Sequence, residues 1–293
     1  MTDTNRLRRS LRLLPMVPAI MLLALFLVGP LLWSFYASFT DAALTGKAAR
    51  SPEWIGIDNY ARLLGDPVFP LSVWLTVVFV AASAIIGQNV LGLMIALVMG
   101  RSGKTMASLV STTVVASWVL PEIVAAFAAY AYFSVDGTLN QFLGMLGVRG
   151  ANWLFAFPMA AISLANIWRG TAFSMLVYKA ALSDVPREVT EAALVDGAKG
   201  WQRLVFVTLP MIRGSIATNL MLVTLQTLAV FTLIWVMTAG GPADASTTLP
   251  VLAYQEAFKF GDIGYGTAIA CILIVVGMAF GVAYVRLLRG AKP

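Results

Sequence analysis

The chain has 293 residues, 59 % of them apolar and 12 % charged, with a mean hydropathy of +0.84. That balance excludes an ordinary soluble domain, which carries about twice the charged share. A net charge of +6 with no histidine and a single cysteine excludes histidine metal sites, histidine-based triads and proton relays, and any intrachain disulfide.

Apolar runs at 13–39, 71–99, 106–133, 157–182, 215–238 and 266–288 are each long enough to cross a hydrocarbon layer of roughly 30 Å. Without water to bond the backbone there, each must be a helix. The expected fold class is therefore all-α, a polytopic membrane protein with six transmembrane helices. Residues 1–12 lie before the membrane domain at 13–288, and 289–293 form a tail. Arg6, Arg8, Arg9 and Arg12 ahead of the first run imitate a secretory leader, but the run is too long and lacks a small-residue cleavage site, so it stays as the first span.

Lys and Arg fix the expected orientation. They cluster before the first span, at Arg101 and Lys104, at Arg187, Lys199, Arg203 and Arg213, and at Arg286, Arg289 and Lys292. The opposite connections hold only scattered Lys47, Arg50, Arg62, Arg149 and Lys259. Both termini are expected to be cytoplasmic, so the positive charge reads as topology and gives a nucleic-acid partner no support.

The first outer connection, 40–70, is punctuated by Gly46, Pro52, Gly56, Gly65, Pro67 and Pro70 and reads as a loop with turns. Ser102-Gly103-Lys104-Thr105 ends like a phosphate-binding loop, but Val98 stands where the first glycine belongs. The third span contains Pro121-Glu122; Glu122 is a substrate-path candidate, and the pair either marks a broken helix or offers a carboxylate to Arg169. Beyond it, Leu139, Phe142, Leu143 and Leu146 make one apolar face of a short surface helix.

Polar groups at bilayer depth suggest a wet path or an interhelical bond. Arg169 lies about twelve residues into the fourth span, roughly 18 Å along a helix. Asn166 shares its face, and Trp168 offers an aromatic surface to a sugar ring; a structural ion pair of Arg169 is the alternative. Asn219 and Gln226, on one face of the fifth span, serve either a polyhydroxyl solute or helix-to-helix bonding. Gln88 and Asn89 in the second span are weaker candidates of the same kind. Cys271 reads as a small apolar residue of the last span.

The connection at 183–214 is long, mixed in charge and patterned for helices. Ser183 or Asp184 can cap a helix whose first turn tolerates Pro186 and carries Glu188 and Glu191. Gly197 can end it in a left-handed conformation, and a second helix through Trp201 and Phe206 stops at Pro210.

Glu191-Ala192-Ala193-Leu194-Val195-Asp196-Gly197, followed by Val207-Thr208-Leu209-Pro210, closely resembles the EAA motif of binding-protein-dependent ABC importer permeases. Ile167-Trp168-Arg169, Gly240-Gly241-Pro242 with Thr247-Thr248-Leu249, and Gly264-Tyr265-Gly266-Thr267 extend the resemblance, in order, to the carbohydrate-uptake branch and its maltose-type F permease. One departure is Thr232, where many relatives have an acidic residue. The resemblance implies the type I ABC importer permease fold in a bacterial plasma membrane. It makes Glu191, Ala192, Ala193, Asp196, Gly197 and Pro210 the ATPase-coupling segment, and Gly240, Gly241, Pro242 and Tyr254 the contact with a binding protein. It also implies a second permease subunit, two ATPase subunits that hold ATP and Mg, and an extracellular solute-binding protein. This chain would hold no cofactor and catalyse nothing. The solute implied is a sugar, with an amino sugar or glycerol 3-phosphate as alternatives. The rival class, a self-contained secondary transporter, would be expected to show inverted repeats, broken helices and a charged relay; no repeat is visible. Nor is a nucleophile or metal constellation for a membrane enzyme.

Overall fold

The structure, a computed structural model, describes residues 16–290, with side chains as far as Arg286. Arg6, Arg8, Arg9, Arg12 and Lys292, and the side chain of Arg289, lie outside the described residues. The described residues are helical, apart from turns and two isolated bridges, Thr40 with Trp54 and Ala43 with Asp262. In chain order the helices used below are α1 Val17–Ala37, α2 Asp58–Gly65, α3 Val68–Arg101, α4 Lys104–Val119, α5 Glu122–Phe133, α6 Thr138–Met145 and α7 Pro158–Ser183. They are followed by α8 Arg187–Val195, α9 Gly200–Met211, α10 Arg213–Leu228, α11 Thr232–Thr238, α12 Leu249–Tyr254 and α13 Ile263–Gly290.

Length and composition qualify α1, α3 and α13 as spans outright, and up to five if each of two bent pairs, about α4–α5 and α9–α10, counts as one. The bends are 105° and 71°. At 26 residues α7 reaches about 39 Å, enough to cross, but Arg169, Lys179 and its Ser, Thr and Asn residues dilute its hydropathy.

Two expected spans are not continuous. The third breaks at Leu120 and Pro121, both extended, because a proline forces the residue before it out of helical geometry. The fifth breaks at residues 229–231, where Ala229 and Val230 close the last turn of α10 with bonds to Gln226 O and Thr227 O. No Pro or Gly marks that second break.

The chain divides into two compact units. One joins the segment up to Gly65 with Ala253–Ile272, and the other holds Asp66–Leu252 and the segment from Leu273. In the first, the outer connection is better ordered than a loop with turns, since it contains α2. Asn59 Nδ2 donates to Ser38 O and Thr40 O, both at 2.9 Å. Arg62 reaches Asp262 at 2.5 Å and lies 4.0 Å from the centre of the Tyr265 ring. Burial opposes its charge, but the hydrogen bond and attraction of Asp262, aided by Tyr265 and Glu256, outweigh this and hold its pKa above the ordinary value. Almost all of α1 is exposed, as expected of a helix facing lipid or another subunit.

In the second unit α7 is the centre. One cluster packs Ala161, Ile162 and Ala165 of α7 against Ala126, Ala129 and Phe133 of α5 and Leu233, Ile234 and Met237 of α11. Another packs Met175 and Tyr178 of α7 against Ala96 and Met99 of α3, with Val110 and Val114 of α4 and Ile216 of α10 at its edge. Each broken span thus gives its first half to one cluster and its second half to the other. The apolar face expected of α6 is divided: Leu139 packs on the first cluster while Phe142 and Leu146 are exposed.

Candidate functional site

In the connection after α7, the helix begins later than expected. The N-cap of α8 is Pro186, with no side-chain cap, and Ser183 Oγ instead donates to Ala180 O at 2.7 Å. Val185 precedes a proline and is steered out of helical geometry, so neither Ser183 nor Asp184 can stand at the cap. The C-terminus follows expectation: Gly197 has φ of 79°, its N–H bonds Leu194 O, and the Ala198 N–H bonds Ala193 O. This Schellman closure satisfies two carbonyls that α8 leaves open and turns the chain sharply.

Next, α9 opens with Lys199 N donating to Gln202 Oε1 at 2.7 Å. It runs one residue past Pro210, to Met211, because a π turn at Leu204–Thr208 widens the backbone ahead of the proline ring. Glu191, Ala192, Asp196, Gly197 and Pro210 are exposed and Ala193 is half-buried. Beside them Val195 is 86 % exposed, and Leu194, Trp201 and Phe206 are more than half exposed. Large apolar side chains are thus exposed on an ordered, otherwise polar connection.

Among the path candidates, Asn166 and Asn219 are buried and bonded within the chain. Asn166 Nδ2 donates to Ser83 Oγ at 2.8 Å, and Gln88 Nε2 donates to Asn166 O at 3.2 Å. Asn219 Nδ2 donates to Asn89 Oδ1 at 2.7 Å and Ser174 Oγ at 2.9 Å, while the Tyr178 hydroxyl donates to the same Asn89 oxygen. This polar seam joins α3, α7 and α10. Ser83, Ser174 and Tyr178 were not singled out from the sequence; their only signal is small or hydroxylated residues inside apolar runs. Asn219→Leu removes two seam bonds and is expected to cost about 1–2 kcal/mol of thermal stability in the detergent-solubilised complex. Gln226 is exposed, so Gln226→Leu should leave the melting temperature of the same preparation unchanged.

The other candidates take no part in the seam's hydrogen bonds. Trp168 is exposed, and Arg169 is half-buried with a buried Nε that has no hydrogen-bond partner. No ion pair joins Arg169 to Glu122 among the described residues. Glu122 instead accepts from the backbone N–H of Leu233 at 3.3 Å. Beyond α11, Ala239, Ala243 and Asp244 all have positive φ, a strained conformation for residues with a Cβ. Around Gly240, Gly241 and Pro242 the loop is held by Thr247 Oγ1 to Gly240 O and Ser246 Oγ to Gly241 O. A cavity of about 420 Å³ opens beside it, lined by Tyr130, Asn152, Phe155, Thr238, Gly241 and Pro242. Tyr254, in the other unit, is half-buried with its ring 5.3 Å from Phe258.

Apolar helices around a buried polar seam, with an ordered helical connection between α7 and α10, have the make-up of the membrane component of a transporter. The chain belongs to the family of binding-protein-dependent transport system inner membrane components, which matches residues 88–292. It is 34 % identical to the sulfoquinovosyl glycerol transport system permease protein SmoG of Agrobacterium fabrum, over 96 % of this chain and 91 % of that one. It is 32 % identical to the trehalose/maltose transport system permease protein MalF of Thermococcus litoralis, over 94 % and 92 %. Among solved structures, a chain of a bacterial ABC transporter involved in the import of the acidic polysaccharide alginate superposes with a TM-score of 0.84 at 22 % identity, covering 99 % of both chains. The fold is thus that of an ABC importer permease, a multi-pass transport subunit of the plasma membrane and not an enzyme. Family membership, and not helix continuity, sets aside the self-contained secondary transporter, since two spans here are broken as well.

Proposed function

We propose that this chain is one of two permease subunits of an importer for a sugar or related polyol, working with two ATPase subunits that bind ATP and Mg and with an extracellular solute-binding protein. The observation that carries the reading is the segment Glu191 to Gly197, which exposes Leu194 and Val195, is closed by a left-handed glycine and is followed by exposed Trp201 and Phe206. In this reading the membrane domain spans 13–288 with six crossings, and both termini and the 183–214 connection are cytoplasmic. Glu191, Ala192, Ala193, Asp196, Gly197 and Pro210 form the seat of the ATPase, and Gly240, Gly241, Pro242 and Tyr254 meet the binding protein. Asn166 and Asn219 hold the walls of the path, which Trp168, Arg169 and Gln226 line. The names of the relatives, which carry sulfoquinovosyl glycerol and trehalose or maltose, support a sugar.

A second reading of the solute, a sugar or polyol bearing an anionic group such as glycerol 3-phosphate, is favoured by the unpartnered Arg169 Nε, because a guanidinium at membrane depth calls for an anion or a wet cavity. One experiment separates them: ATP hydrolysis by the complete complex in liposomes, with trehalose, lactose, an amino sugar or glycerol 3-phosphate presented with its binding protein. Stimulation by a neutral sugar that survives Arg169→Met supports the first reading. Stimulation by an anionic solute that is lost by about a hundredfold in Arg169→Met supports the second, in keeping with about 3 kcal/mol for a charge-assisted pair. Solute movement without ATP hydrolysis would overturn both.

A further inference from the structure

The two broken spans meet at their breaks. The helix after the first break, α5, starts with Glu122; the helix after the second, α11, starts with Thr232, its N-cap Phe231 gives no side-chain cap, and first-turn N–H groups have no partner within a helix. Behind that helix start Leu233, Ile234 and Met237 pack against Ala126, Ala129 and Phe133 of α5, and the first turn of α11 holds no acidic residue of its own. Glu122 reaches this helix start from α5: its Oε1 accepts from the Leu233 N–H at 3.3 Å. A negative charge at that position also faces the positive end of the α11 backbone dipole.

We propose that Glu122 is a positioning residue that closes the break of the fifth span from the break of the third, joining α5 and α11 into one body. A cap supplied from another helix does what a cap within α11 would do, and adds a tether. It fixes the distance between the second halves of two spans, and hence the opening between those halves and α7. This rests on the chain being a transport subunit, because only there does the spacing of the halves bear on function.

The geometry also says how to replace the tether. Thr232 is the first residue of α11, so Thr232→Asp places a carboxylate at the same helix end without the link to α5. The local closure should then return while the tether stays broken. Two readouts on the complete complex in liposomes separate these effects: hydrogen–deuterium exchange of the peptide containing 229–238, and uptake per ATP hydrolysed for whichever of trehalose, lactose or glycerol 3-phosphate stimulates the native complex. In Glu122→Ala the exchange should quicken about tenfold, the loss expected for a helix cap, with uptake per ATP down by a similar factor. Glu122→Gln keeps an acceptor oxygen and should stay within about threefold of native in both. Glu122→Ala with Thr232→Asp should recover the exchange rate but not the uptake. Native-like exchange or uptake in Glu122→Ala overturns the proposal, as does recovery of uptake in the double variant. If Glu122→Ala fails to assemble, adding Thr232→Asp must restore assembly, and failure to do so also overturns it. If none of the three solutes stimulates the native complex, those three are excluded as its solutes, while the exchange experiment still decides whether Glu122 closes the break.

Discussion

Gly197→Pro is expected to reduce solute-stimulated ATP hydrolysis at least tenfold while the chain still inserts and assembles. Gly197 holds φ at 79°, and proline is confined near −65° and has no N–H to give Leu194 O. The substitution therefore removes one of the two bonds that turn the chain at the end of α8 and redirects Asp196, Ala198 and the start of α9. A carbonyl left open at an exposed helix end can bond water, so the bundle itself should not suffer. Gly197→Ala is the graded companion: a Cβ meets nothing within 4 Å there, so only the left-handed conformation is penalised, by about 1–2 kcal/mol. Its loss of stimulation should lie between native and proline. Glu191→Lys leaves the backbone alone and tests the surface instead, placing a positive charge where the exposed face is expected to meet the ATPase. The check is ATP hydrolysis of the liposome-reconstituted complex, with subunit content measured in parallel. Full stimulation in Gly197→Pro with normal assembly would remove this connection from the coupling route.

This connection was legible in the sequence because its signals are local. A glycine after a helical run, a proline before one and acidic residues in a first turn each act within a few residues of themselves. Even so, the start of α8 was misplaced, because Pro186 excludes helix before it as well as admitting helix after it. The spans α1, α3 and α13 were legible for the same reason, as apolar length is a local quantity. The seam was legible only by residue type: Asn166 and Asn219 stood out as polar groups in lipid, but whether they face a solute or a neighbouring helix depends on partners 83 and 130 residues away, Ser83 and Asn89. The break at residues 229–231 was not legible, since no Pro or Gly stands there. It is held by tertiary contacts, Glu122 on one side and the packing of Leu233, Ile234 and Met237 on the other. Pro121, by contrast, announces its own break.

The seam depends on how closely α3 and α7 approach, and that closeness rests on glycine. A Cβ on Gly92 would lie 2.5 Å from Ser174 Cβ and 2.8 Å from the backbone nitrogen of Met175; on Gly170 it would lie 2.2 Å from Gln88 Oε1, and on Gly87, 2.3 Å from the end of Ile167. The obstacles differ in kind. Gln88 and Ile167 are side chains that can rotate away, whereas the backbone at residue 175 cannot move without carrying α7 with it. Pushing α7 away from Gly92 would also stretch the bonds of Asn219 to Ser174 and of Tyr178 to Asn89, because both lie within the same stretch of helix. Overpacking of about 1–3 kcal/mol then adds to roughly 0.6 kcal/mol for each membrane hydrogen bond lost. Gly92→Val is accordingly expected to yield little or no monodisperse protein in detergent. Gly170→Ala should survive with a lowered melting temperature, and Gly87→Ala should be the mildest. Size-exclusion profiles and thermal unfolding of the three variants test the order. A Gly92→Val chain that is as stable as Gly87→Ala would mean that the helices do not cross at Gly92 as closely as described. The bonds of Asn219 to Ser174 and of Tyr178 to Asn89 would then not hold α3 against α7, and Asn219 would be open to solute.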